Sequence, residues 1–157
     1  MGVPPIGERY RGIEGHIGYL LRQASHALRG ACDAALREHG LITQHYAVIS
    51  VLARDPGASN ADLARATGTS PQAMNGVLAT LAREGLIKRH PHPTHGRILQ
   101  ASLTGEGQRR LELATPAVRQ LEAAIEDGFT SGEIAAIKTW LVRAAQRMEL
   151  ISAVQRS

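Results

Sequence analysis

The sequence predicts a mainly helical fold interrupted by one small β-hairpin. Apolar residues recur at steps of three and four along most of the chain, the spacing of one helix face. The composition agrees. Of 157 residues, 43% are hydrophobic but only 3% aromatic, and Ala and Leu are prominent. Ala and Leu cost least in a helix, whereas sheets favour aromatic and β-branched side chains. The helical pattern breaks between Leu86 and Leu103, where two short runs flank the turn cluster Pro91-His92-Pro93-Thr94-His95-Gly96.

The chain is long enough to bury a core without disulfides. Its 20% charged residues exclude a disordered tail or a fibrous repeat. A single cysteine, Cys32, cannot form an internal disulfide and fits a reducing compartment. The N-terminal residues have no apolar core of a secretory signal, and no run of 18 apolar residues occurs. A cytoplasmic location without membrane contact is expected.

Taken in order, residues 1–12 read as a flexible arm. Ile13, Ile17, Leu20, Ala24, Leu28, Ala31 and Ala35 then predict a first helix to His39, with Gly40 ending it. Thr43 is expected to cap a second helix, Gln44 to Arg54, stopped before Asp55-Pro56-Gly57. Ser59 and Asp62 form a capping box for a short third helix, Asn60 to Thr67. Gly68 supplies a tight turn. Ser70 is the N-cap and Pro71 the first residue of a fourth helix running to Glu84, with Gly85 ending it. Leu86 to His90 and Arg97 to Leu103 are the two strands. Thr104 and Glu106 open a fifth helix, which Pro116 is expected to kink or split. Thr130 and Glu133 make a second capping box. The last helix carries Ile134, Ile137, Leu141, Ala144, Met148 and Ile151 at alternating steps of three and four, a heptad seam.

Two short helices joined by a glycine turn and followed at once by a hairpin describe a winged helix-turn-helix. The reading divides the chain into the arm, an N-terminal dimerisation helix over 13–39, a winged helix over 40–103, and C-terminal dimerisation helices over 104–157. The narrow apolar stripes of the end helices suit packing against a second subunit.

The charge distribution gives the winged helix a partner. Between Leu63 and Gly105 lie five basic side chains (Arg65, Arg83, Lys88, Arg89, Arg97) against one acid, Glu84. This surplus of four equals the net charge of the whole chain, +4. A basic module in an otherwise balanced protein points to nucleic acid, and the helix-turn-helix with its wing points to double-stranded DNA. Leu63, Met74, Val77, Leu78 and Leu81 would face the core, and small Ala64 would let the helices cross closely. Thr69, Ser70, Gln72, Asn75 and Ala79 then face outward. Hydroxyls suit phosphates, and Gln or Asn can pair at two points with adenine. Arg97 is the expected minor-groove contact of the wing. Arg65 and His95 complete the candidate DNA-binding set.

Residues 60–108 resemble the winged helix of the MarR (multiple antibiotic resistance regulator) family. The matching stretches are Ala61-Asp62-Leu63-Ala64, Ser70-Pro71-Gln72-Ala73, Leu81 through Arg89, and Leu103-Thr104-Gly105-Glu106-Gly107. The flanking helices extend the likeness over about 13–151. The resemblance implies a homodimer built from the first, fifth and sixth helices. It also implies a transcriptional regulator, usually a repressor released by a small ligand. The family's recognition helix corresponds to 71–84 and its wing arginine to Arg97. The sequence departs from the family at His95, where an Asp is usual, and at Gly76, where a larger residue is common.

The resemblance places effectors such as aromatic acids or phenols between the dimer helices and the winged helix. Candidate ligand-binding residues are His16, Tyr19, Arg22, Gln23, His26, His45 and Tyr46. Alternatives are a redox-sensing repressor acting through Cys32 and a winged-helix module that binds protein instead of DNA. His90, His92 and His95 on an exposed tip lack a cysteine or carboxylate to complete a metal site, so no metal and no cofactor is expected. No catalytic motif of the usual hydrolase, P-loop or zincin kind is present, so no enzyme activity is expected.

Overall fold

The structure is a computed structural model that describes residues 2–94, 96 and 99–155. Its helices are α1 (Ile17–Leu36), α2 (Thr43–Arg54), α3 (Asn60–Ala66), α4 (Pro71–Arg83), α5 (Gly105–Glu126) and α6 (Ser131–Val154), and its strands β1 (Ile87–Pro91) and β2 (Leu99–Leu103). The chain divides into two units, Met1–Leu121 and Glu122–Ser157.

Three departures from the sequence expectation have clear physical reasons. The first helix begins at Ile17 and not at Ile13. The Gly15 N–H bonds the Gly12 carbonyl at 2.9 Å, turning the chain, and Ile13 is left fully exposed. Thr43 is the first helical residue of α2 and not its cap. The capping acceptor comes from α1 instead: Asp33 Oδ1 accepts from the Thr43 N–H at 2.7 Å and from its hydroxyl at 2.6 Å. These bonds hold the Asp33 carboxyl below its ordinary pKa. Pro116 does not split α5, which runs unbroken over 22 residues.

The residues read as an arm fold back onto α1. They form a 3-10 turn at Arg9–Arg11. Arg11 Nε donates to Gln23 Oε1 at 2.8 Å, and Gln23 Nε2 donates to the Arg11 carbonyl at 3.0 Å. The Tyr10 ring meets Tyr19 edge-on, 5.9 Å between centroids.

The core of the first unit gathers one stripe from each element. Cys32 and Leu36 of α1, Val48, Ile49 and Leu52 of α2, and Leu63 and Ala64 of α3 meet Met74, Leu78 and Leu81 of α4. Leu86, Ile87 and Ala101 close it from the hairpin, and Leu111 and Ala114 from α5. The Ser59–Asp62 capping box is complete, so α3 starts where its sequence says.

β1 and β2 pair antiparallel, with Ile87 opposite Leu103 and Pro91 opposite Leu99. The chain before α3 adds a short third edge. The Gly57 N–H donates to the Ala101 carbonyl at 2.9 Å, and the Ala101 N–H to the Ala58 carbonyl at 3.2 Å. The hairpin is thereby fastened to α3. At its base, Gly107 is buried against Leu86, the residue before β1, and Leu103 of β2. A Cβ there would stand 2.0 Å from the Leu86 carbonyl oxygen, so only glycine fits.

In the second unit, Thr130 caps α6 with Glu133 in the reciprocal capping box. Lys138 Nζ bonds Glu126 Oε1 at 2.6 Å. The predicted seam residues Ile137, Leu141, Met148 and Ile151 are all exposed. No helix among the described residues is long and apolar enough to cross a membrane.

Candidate nucleic-acid interface

Helix α4 owes its amphipathic placement to sequence. Pro71 occupies the first turn, where its missing N–H costs nothing. The Ser70 hydroxyl accepts from the Ala73 N–H at 3.1 Å. Met74, Leu78 and Leu81 are fully buried, which turns the intervening positions outward. Ser70, Gln72, Asn75 and Ala79 are exposed as expected, and Val77 packs partly buried on the core.

The outward residues differ in how firmly they are held. Thr69 is half-buried, and its hydroxyl accepts from Gln44 Nε2 at 2.7 Å. Asn75 Oδ1 accepts from Asn60 Nδ2 at 3.1 Å. Arg65 is paired with Asp62 one turn earlier on α3. Asp62 is held below its ordinary pKa, chiefly by the Ser59 hydroxyl and then by the Ser59 N–H. Arg65 is therefore a compensated charge that retains exposed guanidinium edges. Gln72 has no protein hydrogen bond among the described residues and is the most adaptable of the set.

Lys88 and Arg89 project from β1 as exposed cations beside α4 in sequence order. His92 Nδ1 accepts from the Thr94 N–H at 3.2 Å, which tightens the tip. Arg97 and His95 lie outside the described residues. Gln44 and Asn60 were not singled out from sequence. Their partners lie 25 and 15 residues away, and no local pattern encodes such a contact.

The seven ligand candidates are spread over α1, the residue before it, and α2. Tyr19, Arg22, Gln23 and His26 line an open recess of about 250 Å³ on α1, joined by Ile6, Arg11 and Ala27. The Arg22 guanidinium lies 6.0 Å from the Tyr19 ring centroid. His16 precedes α1 as its exposed N-cap residue and does not line this recess. His45 and Tyr46 sit on α2, away from it. Tyr46 Oη is 3.3 Å from Thr115 Oγ1, tying α2 to α5. His45 has a buried Nδ1 with no partner among the described residues. Burial pushes its pKa down, against the opposing pull of Glu84 and Asp33.

Cys32 is 7% exposed within the core. Among the described residues, no group of three His, Cys, Asp or Glu is placed to hold a metal ion.

A winged helix with this exposed helix face is shared by known proteins. The MarR family model matches residues 39–98. An HTH-type transcriptional repressor of Mycobacterium tuberculosis is 37% identical over 109 residues, spanning 69% of this chain and 78% of the relative. This chain belongs to the MarR family. It is a transcriptional regulator with a DNA-binding winged helix, and not an enzyme. Among solved structures, a MarR-family protein of Mycobacterium tuberculosis in complex with p-aminosalicylic acid is 32% identical. It aligns with a TM-score of 0.66 over 83% of this chain and 98% of that one. A transcriptional repressor bound to a 23-mer DNA duplex shares the fold, with a TM-score of 0.78 at 20% identity. That alignment covers 88% of this chain and 98% of the other.

Proposed function

We propose that this MarR-family protein is a homodimeric repressor that binds a pseudo-palindromic operator and releases it on binding an aromatic acid or phenol. The observation that carries the DNA part is the outward face of α4. Ser70, Gln72 and Asn75 stand exposed on a helix whose opposite side is fully buried, next in sequence to a hairpin with exposed Lys88 and Arg89. A polar helix face enters a major groove, and flanking cations hold phosphates. Half-sites would be about one helical turn, ~10 bp, apart. The exposed apolar row of α6 supports the dimer.

The effector part rests on the α1 recess. Arg22 and His26 offer donors for a carboxylate, while Ile6 and the Tyr19 ring offer apolar surface for a ring. The p-aminosalicylic acid complex of the mycobacterial relative supports an aromatic acid as the probe.

Selection from a pool of randomised duplexes, followed by anisotropy titrations at several salt concentrations, tests the reading. An inverted repeat is expected, bound with steep salt dependence. Arg97→Ala should weaken binding and lower the salt slope by about 1. Salicylate should release the duplex from the wild type and not from Arg22→Ala. Enrichment of no sequence, or salt-independent binding, rejects operator binding in favour of a protein-interaction module.

A further inference from the structure

Three polar groups stand in a row where α3 meets α4. Asn60 Nδ2 is 3.1 Å from the Pro71 carbonyl oxygen and 3.1 Å from Asn75 Oδ1. A backbone carbonyl can only accept a hydrogen bond. The Asn60 atom beside Pro71 must therefore be its NH2. That NH2 also faces Asn75, so the Asn75 atom turned towards it must be the oxygen. The polarity of both amides follows from the one group in the row that has no choice.

The arrangement carries a cost. Asn60 Oδ1 is buried and has no hydrogen-bond partner among the described residues. Turning the Asn60 amide over would not relieve it, because the oxygen would then oppose the Pro71 carbonyl. A buried, unpaired acceptor is unfavourable, yet here it accompanies a fixed orientation of an exposed side chain on the outward face of α4. Asn75 is exposed, and its Nδ2 has no protein partner among the described residues.

We infer that Asn60 is a positioning residue for sequence reading: it holds the Asn75 oxygen inward, so that Asn75 meets DNA as a hydrogen-bond donor. This rests on the DNA-binding reading of α4. In the major groove, guanine presents two acceptors (N7 and O6) and thymine one (O4), whereas adenine sets its one acceptor (N7) beside an amino donor and cytosine presents only an amino donor. A side chain that offers only donors meets no opposing donor at guanine or thymine, so Asn75 favours these over adenine and cytosine. The two-point adenine contact expected from the sequence draws on the amide oxygen, which Asn60 already engages.

The test uses the full chain and selection from randomised duplexes. The position read by Asn75 is the one where preference disappears in Asn75→Ala. The wild type should favour guanine or thymine there. In Asn60→Asp the carboxylate only accepts: it must leave the Pro71 carbonyl and can bond Asn75 only through the Asn75 NH2, so Asn75 turns its NH2 inward and its oxygen outward. Preference should then move by about tenfold towards cytosine or adenine, the bases with a major-groove amino group. Asn60→Ala frees the amide and should broaden the preference to include adenine. In an Asn75→Ala background neither substitution should change base preference, because Asn60 acts through Asn75. A merely structural role for Asn60 would lower affinity for all sequences alike and leave the ratios unchanged. Wild-type preference retained in both Asn60 variants overturns the inference alone. Enrichment of no sequence by the wild type overturns the DNA-binding reading and the inference together.

Discussion

Helices α4 and α6 carry similar apolar stripes and meet opposite fates. In α4, Met74, Leu78 and Leu81 are at most 1% exposed. In α6, Ile137, Leu141, Met148 and Ile151 remain 41–54% exposed. Propensity does not separate the two. What differs is whether each helix's own unit supplies a lid. Around α4, the stripes of α1, α2, α3, α5 and the hairpin close into one cluster. The α6 stripe is written in heptads, the spacing suited to another helix running alongside. One stripe is therefore satisfied within its own unit, and the other is left open within its unit, as the proposed dimer requires.

Four substitutions probe this contrast, taken from the largest effect to the smallest. Leu78→Ala should destabilise the first unit by about 3 kcal/mol, because the closed cluster cannot collapse fully around the cavity. The check is the shift in urea midpoint at unchanged m-value. Leu141→Asp should leave that unit folded and dissociate the proposed dimer, lowering operator affinity by about a hundredfold as two linked half-site contacts become one. An unchanged sedimentation coefficient would show that α6 is not the seam.

Gly76→Ala acts on the open side of α4, where a Cβ meets nothing within 4 Å. It should raise stability by about 1 kcal/mol, read as a higher melting temperature. A lower one would mean that this face is packed after all. The smallest effect is a pH dependence at His45. Its folded pKa is lowered by burial, so the unfolded chain binds the proton first as pH falls. Stability is then fully present above about pH 6.5 and declines below it, levelling off beneath the folded pKa. Melting curves between pH 5 and 7.5 should show this slope, and His45→Gln should flatten it.

How much of the molecule the sequence discloses depends on the reach of each signal. The capping boxes at Ser59–Asp62 and Thr130–Glu133 span three residues, and both occur as read. The cap of α2 is misread because its acceptor, Asp33, lies ten residues away on another helix. The start of α1 is misread because helical spacing continues through Ile13, while Gly12 and Gly15 have already turned the chain. The outward face of α4 is legible because burial of Met74, Leu78 and Leu81 fixes it by periodicity. The partners that orient this face, Gln44 and Asn60, are set by tertiary packing alone. The grouping of the ligand candidates is the least legible feature. Polar residues on two helices look equivalent in sequence, yet Tyr19, Arg22, Gln23 and His26 line one recess, on the side where the N-terminal residues fold back.

The junction between the hairpin and α5 has a mechanical consequence. The Thr104 N–H bonds the Leu86 carbonyl at 3.0 Å, and its hydroxyl donates to the Gly85 carbonyl at 2.6 Å and accepts from the Gly107 N–H at 3.0 Å. Gly107 presses against the Leu86 carbonyl with no room for a side chain. A joint this short and this full of hydrogen bonds has no slack. Tilting the first turn of α5 must carry the root of the wing with it, so the two behave as a crank and its arm.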